Sequence, residues 1–288
     1  MTALLRVVLM ALALALALAG AAPAAGHCKA VYGQGAVQVR VATGSPGELG
    51  LLAALSQPFL SQHQVSLCWR KAGSGASLRL LKEGQVDLAL VHAPAAERQA
   101  LAQGWAEQHT LIGGNEFFIV GPAADPARIA GSASAAQAYA RIAKARAKFI
   151  TRADNSGTHK RELALWRAAK IQPAGAWYVI NRDFMLASLR RAAEIGAYFM
   201  TDSSTWYVGR ARYGLKSLAL LYKGDPVLLN TYHGLVRAGD ASPSAALARQ
   251  FLAFAASPAG QEIIRGFGAE KYGQALYLPA AGVARRPH

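Results

Sequence analysis

Residues 36–60 read AVQVRVATGSPGELGLLAALSQPFL. Over residues 36–42 apolar and polar side chains alternate, which is the period of a half-buried β-strand. Thr43-Gly44-Ser45-Pro46 interrupts that period with small and hydroxyl residues, and residues 47–60 carry apolar side chains at helical spacing. Ser45 and Glu48 match the S-x-x-E capping box, and Pro46 falls at the first helical position, where a missing N–H costs nothing. The stretch is expected to form a strand, a turn and one helix.

The same unit recurs outward from it. Residues 64–70 (QVSLCWR) read as a strand and 75–82 as a helix ended by Gly84, and 86–91 (VDLALV) is a short apolar run of the kind buried in parallel sheets. Further strands are expected at 116–120, 149–151, 177–180, 196–200 and 218–222, with an extended return segment at 228–236. Helices are expected at 133–147 and 158–169, and the C-terminal part over 243–266 is expected to be amphipathic and helical. Strands alternating with helices imply an α/β fold. The layout predicts two lobes, each with a mixed sheet, and a ligand cleft between them. Lobe I comprises 37–116 and 226–282, lobe II comprises 117–225, and 283–288 form a tail. The chain crosses between the lobes near 116–122 and again near 223–236.

Arg6 followed by an apolar run over 7–19, and then Ala22-Pro23-Ala24, reads as a secretory signal peptide over residues 1–24. The run is shorter than the ~20 residues a membrane span takes. His27 stands before Cys28 where a lipid-modified cysteine requires Gly or Ala, so a free, periplasmic, monomeric protein is expected. The chain has 31 Lys and Arg against 16 acids, a net charge of +15, and only Arg6 of these lies in the signal. The basic residues are scattered rather than massed, which favours steering of small anions over nucleic-acid binding; a generally basic proteome accounts for the charge equally well. Cys28 and Cys68 either pair, tying the N-terminal extension to lobe I, or remain separate thiols. No His, Cys or carboxylate group has metal-ligand spacing, so neither a metal site nor a cofactor is expected.

Three segments place small hydroxyl and glycine residues between a strand and a helix. They are Thr43-Gly44-Ser45, Gly73-Ser74-Gly75, and Arg152 followed by Asp154-Asn155-Ser156-Gly157-Thr158-His159. Free backbone N–H groups at helix starts, joined by hydroxyls, form an anion site; each segment alone reads first as an ordinary cap, and it is the three together that favour a ligand site. Such turns lie at the carboxyl ends of strands, where α/β sheets collect ligands. The candidate ligand residues are therefore Thr43, Ser45, Ser74, Arg152, Ser156, Gly157 and Thr158. His92 reads as a hydrogen-bonded structural histidine close to the cleft, and His159 is left open. No nucleophile elbow, Walker loop or zinc motif is present, so no catalytic residue is expected.

Several segments resemble the tungstate-binding component of Tup-type ABC transporters, a family with the type 2 periplasmic binding protein fold. They are GQVDLALVHAP (84–94), NEFFIVGP (115–122), TRADNSGTHKRELALW (151–166), GAWY (175–178), GAYFMTD (196–202) and KGDPVLLNTY (223–232). The resemblance implies an oxyanion such as tungstate or molybdate, held by the loops around Thr43–Ser45, Gly73–Gly75 and Arg152–Thr158, and delivered to an inner-membrane ABC permease. Two departures stand out. The family's T-T-T-S loop is Ala42-Thr43-Gly44-Ser45 here, and its G-Q-G-M-G segment is Arg182-Asp183-Phe184-Met185-Leu186. These leave two further readings: a binding protein for a different small anion, or a ligand-free signalling or scaffold module on the same fold.

Overall fold

The computed structural model describes residues 27–285. The signal-peptide expectation, residues 1–24, lies outside them. In chain order the elements begin with β1 (Ala30–Tyr32), β2 (Val37–Thr43), a short helix α1 (Ser45–Glu48), α2 (Leu51–Gln62), β3 (Val65–Lys71), α3 (Ser74–Lys82), β4 (Leu88–Val91), α4 (Pro94–Ala102) and β5 (Ala106–Pro122). They continue with α5 (Ala135–Lys144), β6 (Phe149–Thr151), α6 (Gly157–Ala168), β7 (Tyr178–Ile180), α7 (Met185–Ile195), β8 (Tyr198–Asp202), α8 (Ser203–Tyr213) and β9 (Leu218–Tyr222). Last come β10 (Leu229–Arg237), α9 (Pro243–Ala256), α10 (Pro258–Gly266), α11 (Ala269–Tyr272), β11 (Leu278–Pro279) and α12 (Ala280–Ala284).

The strands form two mixed sheets joined through β5, in the order β1-β3-β2-β4-β10-β5-β8-β6-β7. β2 runs parallel to β3 and β4, and β10 is antiparallel to β4 and β5. In the other half β6 is parallel to β7 and β8, while β8 and β9 are antiparallel to β5. β5 is long enough to serve both sheets because Gly113 and Gly114 sit at its middle. A Cβ on Gly113 would stand 2.6 Å from the Leu278 carbonyl, and one on Gly114 would stand 2.7 Å from the Asn230 carbonyl. Bare backbone there lets β11 and β10 close on the strand.

Each sheet is covered on both faces. Val39, Leu52, Phe59, Leu67, Phe251 and Leu252 pack on one face of the first sheet, and Leu81, Ala89, Val91 and Leu235 on the other. In the second half Tyr139, Phe149, Trp166 and Tyr198 form one core, and Phe118, Leu189, Phe199 and Trp206 the opposite one. Cys28 and Cys68 are joined by a disulfide, which fixes β1 and its approach to β3.

Several local expectations are corrected. The single helix over 47–60 is two helices, because Gly50 takes a left-handed φ of 95° between them. Ser45 and Glu48 do not form a capping box. Gly44 caps α1 without a side-chain bond, the Ser45 hydroxyl turns to Asp202, and Glu48 pairs with Lys71. Val283 is buried within α12 and packs against Gly114, so the segment expected to begin a tail is folded there. The part expected to be helical over 243–266 is so, as α9 and α10, with Ser257 capping α10 and Pro258 starting it.

Candidate functional site

One wall of the cleft is built by the carboxyl end of β2. Thr43 is fully buried, and its carbonyl accepts from the Trp69 indole at 2.9 Å and from the Ala72 amide at 3.2 Å. Its hydroxyl has no hydrogen-bond partner. The Ser45 hydroxyl donates to Asp202 Oδ2 at 3.2 Å. Asp202 ends β8 and caps α8, accepting from the Thr205 amide at 2.9 Å and the Thr205 hydroxyl at 2.8 Å. The Asn115 amide donates to Asp202 Oδ1 at 3.3 Å, the Asn230 amide to Asn115 Oδ1 at 2.7 Å, and Asn230 Oδ1 meets His92 Nδ1 at 2.9 Å. A chain of buried polar groups thus passes through both sheets where β5, β8 and β10 meet. Burial raises the Asp202 carboxyl pKa, against the Thr205 and Ser45 donors, which lower it. Burial lowers the His92 pKa to about 4, so its imidazole is neutral near pH 7, and it is hydrogen-bonded to Asn230.

The opposite wall follows β6. Arg152 is buried, one terminal nitrogen pairs with Asp154, and its Nε has no partner. Its guanidinium lies 5.5 Å from the centre of the Phe184 ring, and Lys71 Nζ lies 4.1 Å from the same centre. Phe184 therefore sits against two cations, a favourable arrangement worth roughly 0.5–2 kcal/mol per contact according to exposure. Arg182 and Asp183 beside it are exposed.

Ser156 caps α6, accepting from the His159 amide at 3.3 Å. The N–H groups of Gly157 and Thr158, the first two helical residues, have no acceptor within the helix. The walls touch here. A Cβ on Gly73 would stand 3.0 Å from Ser156 Cβ, one on Gly75 2.5 Å from Asn155 Nδ2, and one on Gly157 2.4 Å from the His92 carbonyl. His159 takes the Asn155 amide on its Nδ1 at 3.1 Å, which makes it part of the same loop.

The seven candidates are all buried, but they differ in what they offer. Ser156 and Gly157 lie on the line where the walls touch, Ser74 stands between the two glycines that meet that line, and Arg152 and Lys71 share the Phe184 ring. Four hydroxyls already have partners: Ser45 on Asp202, Ser74 accepting from the His92 amide at 3.1 Å, Ser156 accepting from the His159 amide, and Thr158 on Met185 Sδ at 3.5 Å. Donors without partners are the Thr43 hydroxyl and Arg152 Nε, joined by the α6 amides. Sequence reading missed Asn115, Asp202 and Asn230, although each lies within a segment quoted for the family resemblance. Beside the contact line, a groove of about 550 Å³ is lined by His92, Arg98, Asn155, Lys160, Arg161 and Arg167, with no carboxylate among its lining residues.

A two-lobed α/β frame with buried donors on facing walls defines a solute-binding protein. The PBP superfamily domain matches residues 29–259, and the chain belongs to that family. A tungstate-binding protein, TupA, of Peptoclostridium acidaminophilum is 33% identical over 83% of this chain and 84% of its own length. The solved TupA from Desulfovibrio alaskensis G20 is 36% identical, with a TM-score of 0.67 over 85% of this chain and 99% of that one. A tungstate ABC transporter structure from Geobacter sulfurreducens is 32% identical, with a TM-score of 0.71 over 81% of this chain and 100% of that one.

Proposed function

We propose that this protein is the periplasmic solute-binding component of an ABC transporter and carries a tetrahedral oxyanion of the tungstate or molybdate type. The observation that carries the reading is Arg152, a buried guanidinium with an unused Nε, beside the open N-terminus of α6. Arg152 is paired with Asp154, but its unused Nε is a buried charged donor that a compact anion would satisfy. The unpartnered Thr43 hydroxyl supplies a donor from the other wall. Ser45 and Thr158 join the ligand by rotating off Asp202 and Met185, while Ser74, Ser156 and Gly157 set the closure. The groove with Arg98, Lys160, Arg161 and Arg167 draws anions toward the cleft. Among the described residues no helix is long and apolar enough to cross a membrane. Delivery to a separate membrane permease rests on the likeness to ABC transporter relatives.

Isothermal titration with tungstate, molybdate, sulfate and acetate tests the assignment. Saturable one-to-one binding of tungstate or molybdate, at least a hundredfold tighter than sulfate or acetate, is the expected result. Preference for acetate or sulfate would replace the ligand class.

A second reading rests on Phe184, which lies against both Arg152 and Lys71 where the family has a glycine-rich segment. In that reading the ring closes the cleft permanently and the protein presents its lobes to a partner without a solute. Phe184→Gly separates the two. If the wild type binds no oxyanion and the variant does, Phe184 is a plug.

A further inference from the structure

Outside the cleft, Glu97 from α4, His109 from β5 and His233 from β10 meet with their ligating atoms all within 4.8 Å of one another. We propose that these three residues form a binding site for a divalent transition-metal ion of the zinc type. Glu97 is fully buried and uses a single oxygen toward both rings: Oε2 lies 2.9 Å from His109 Nε2 and 3.0 Å from His233 Nδ1. Its other oxygen accepts from the Ala93 amide, which fixes the carboxylate's orientation. Outer contacts of this kind orient metal ligands.

His233 Nδ1 is buried and lies 3.0 Å from the same Glu97 oxygen that meets His109, so both rings present a nitrogen to one carboxylate oxygen. Three ligands about 2.0–2.1 Å from a zinc ion are about 2.9–3.4 Å apart at right-angled to tetrahedral geometry. The two oxygen–nitrogen distances fall at the lower end of that range.

Two imidazoles and one carboxylate suit zinc and its transition-metal neighbours, whereas calcium and magnesium take oxygen ligands. The His109 side chain is 28% exposed, so water reaches the site and completes the coordination. The rings now stack with centroids 4.0 Å apart and planes 20° apart. An imidazole binds a metal in its own plane, so loading tilts the exposed His109 ring away from His233. Sequence spacing gives no sign of this cluster, because its residues come from three separate elements and meet only when α4 packs on β5, beside which β10 runs.

The test uses tag-free exported protein, dialysed against EDTA and titrated with zinc chloride at pH 7.5. One equivalent is expected to bind with micromolar or tighter affinity. His109→Ala and His233→Gln should each weaken binding at least tenfold, while His27→Ala, an exposed histidine elsewhere, leaves it unchanged. X-ray absorption of the zinc-loaded protein should show two imidazoles in the first shell. Lack of saturable binding in the wild type overturns the proposal, as does binding that survives loss of His109 or a spectrum without imidazole. His109→Ala is partly exposed and keeps the fold if Glu97 variants do not.

Discussion

The Ser45 hydroxyl donates to the Asp202 carboxylate across 157 residues of sequence, linking the end of β2 to the start of α8. The same carboxylate caps α8 and holds Asn115 and Thr205, so it organises the place where the two sheets meet. Asp202→Ala leaves several buried donors unsatisfied and removes a cap, which should destabilise the protein by about 3 kcal/mol. Asp202→Asn keeps an acceptor for the Thr205 amide and should cost about 1 kcal/mol. Urea unfolding measures both, and equal losses would contradict the role given to the carboxylate.

The Cys28–Cys68 bond closes a loop of 40 residues. Restriction of the unfolded chain by such a loop contributes up to about 4 kcal/mol. Cys28→Ser with Cys68→Ser should therefore lower the melting temperature by several degrees. Adding a reductant should lower the wild type toward the same value and leave the double variant unmoved.

Two buried groups give stability opposite pH slopes. Burial raises the Glu162 carboxyl from its ordinary 4.5 to about 7, against donors from Tyr178, Thr151 and Trp166. Between those pH values the folded protein keeps a proton that the unfolded chain has lost, so stability falls as pH rises. His92, lowered from 6.5 to about 4, stays neutral where the unfolded chain takes a proton, so its contribution rises with pH. The two partly cancel over the shared window. Glu162→Gln removes the falling limb, and its stability relative to wild type should grow from pH 4.5 to 8 by on the order of 3 kcal/mol. Melting curves at both ends of that range decide this; a constant difference would show that Glu162 does not titrate as its burial requires.

Alternation and helical spacing made β2, β3, β4 and α3 legible, because each strand–helix unit buries one repeating face. The family segments located Arg152 and the α6 start for the same reason: they are local in sequence. The pattern did not reveal β5 as one long strand. Only 116–120 of it was expected as strand, and Gly113 and Gly114 fit a continuous strand because β11 and β10 lie against their bare backbone. α8 begins Ser-Ser-Thr-Trp and has no clean apolar stripe, since it is buried on several sides. The partner of Ser45 could not be read either. A serine before a helix has a local cap available, and Asp202 wins only through tertiary packing.

Arg152 is the one candidate whose charge the anion reading requires. Arg152→Gln retains hydrogen-bond donors but no charge, and should weaken tungstate binding by a hundredfold or more with little change in melting temperature. Arg152→Lys should recover part of the affinity, since it restores charge without the planar fork. Calorimetric titration of the three proteins reads the effect, and equal affinities would remove Arg152 from the site.

The central claim is that the facing walls enclose a compact oxyanion beside Arg152. A crystal grown with tungstate, measured at a tungsten absorption edge, tests it directly. The account predicts one strong anomalous peak within hydrogen-bonding reach of Arg152, the Gly157 and Thr158 amides and Thr43. A peak elsewhere on the molecule, or none with Phe184 still seated against Arg152 and Lys71, would contradict it.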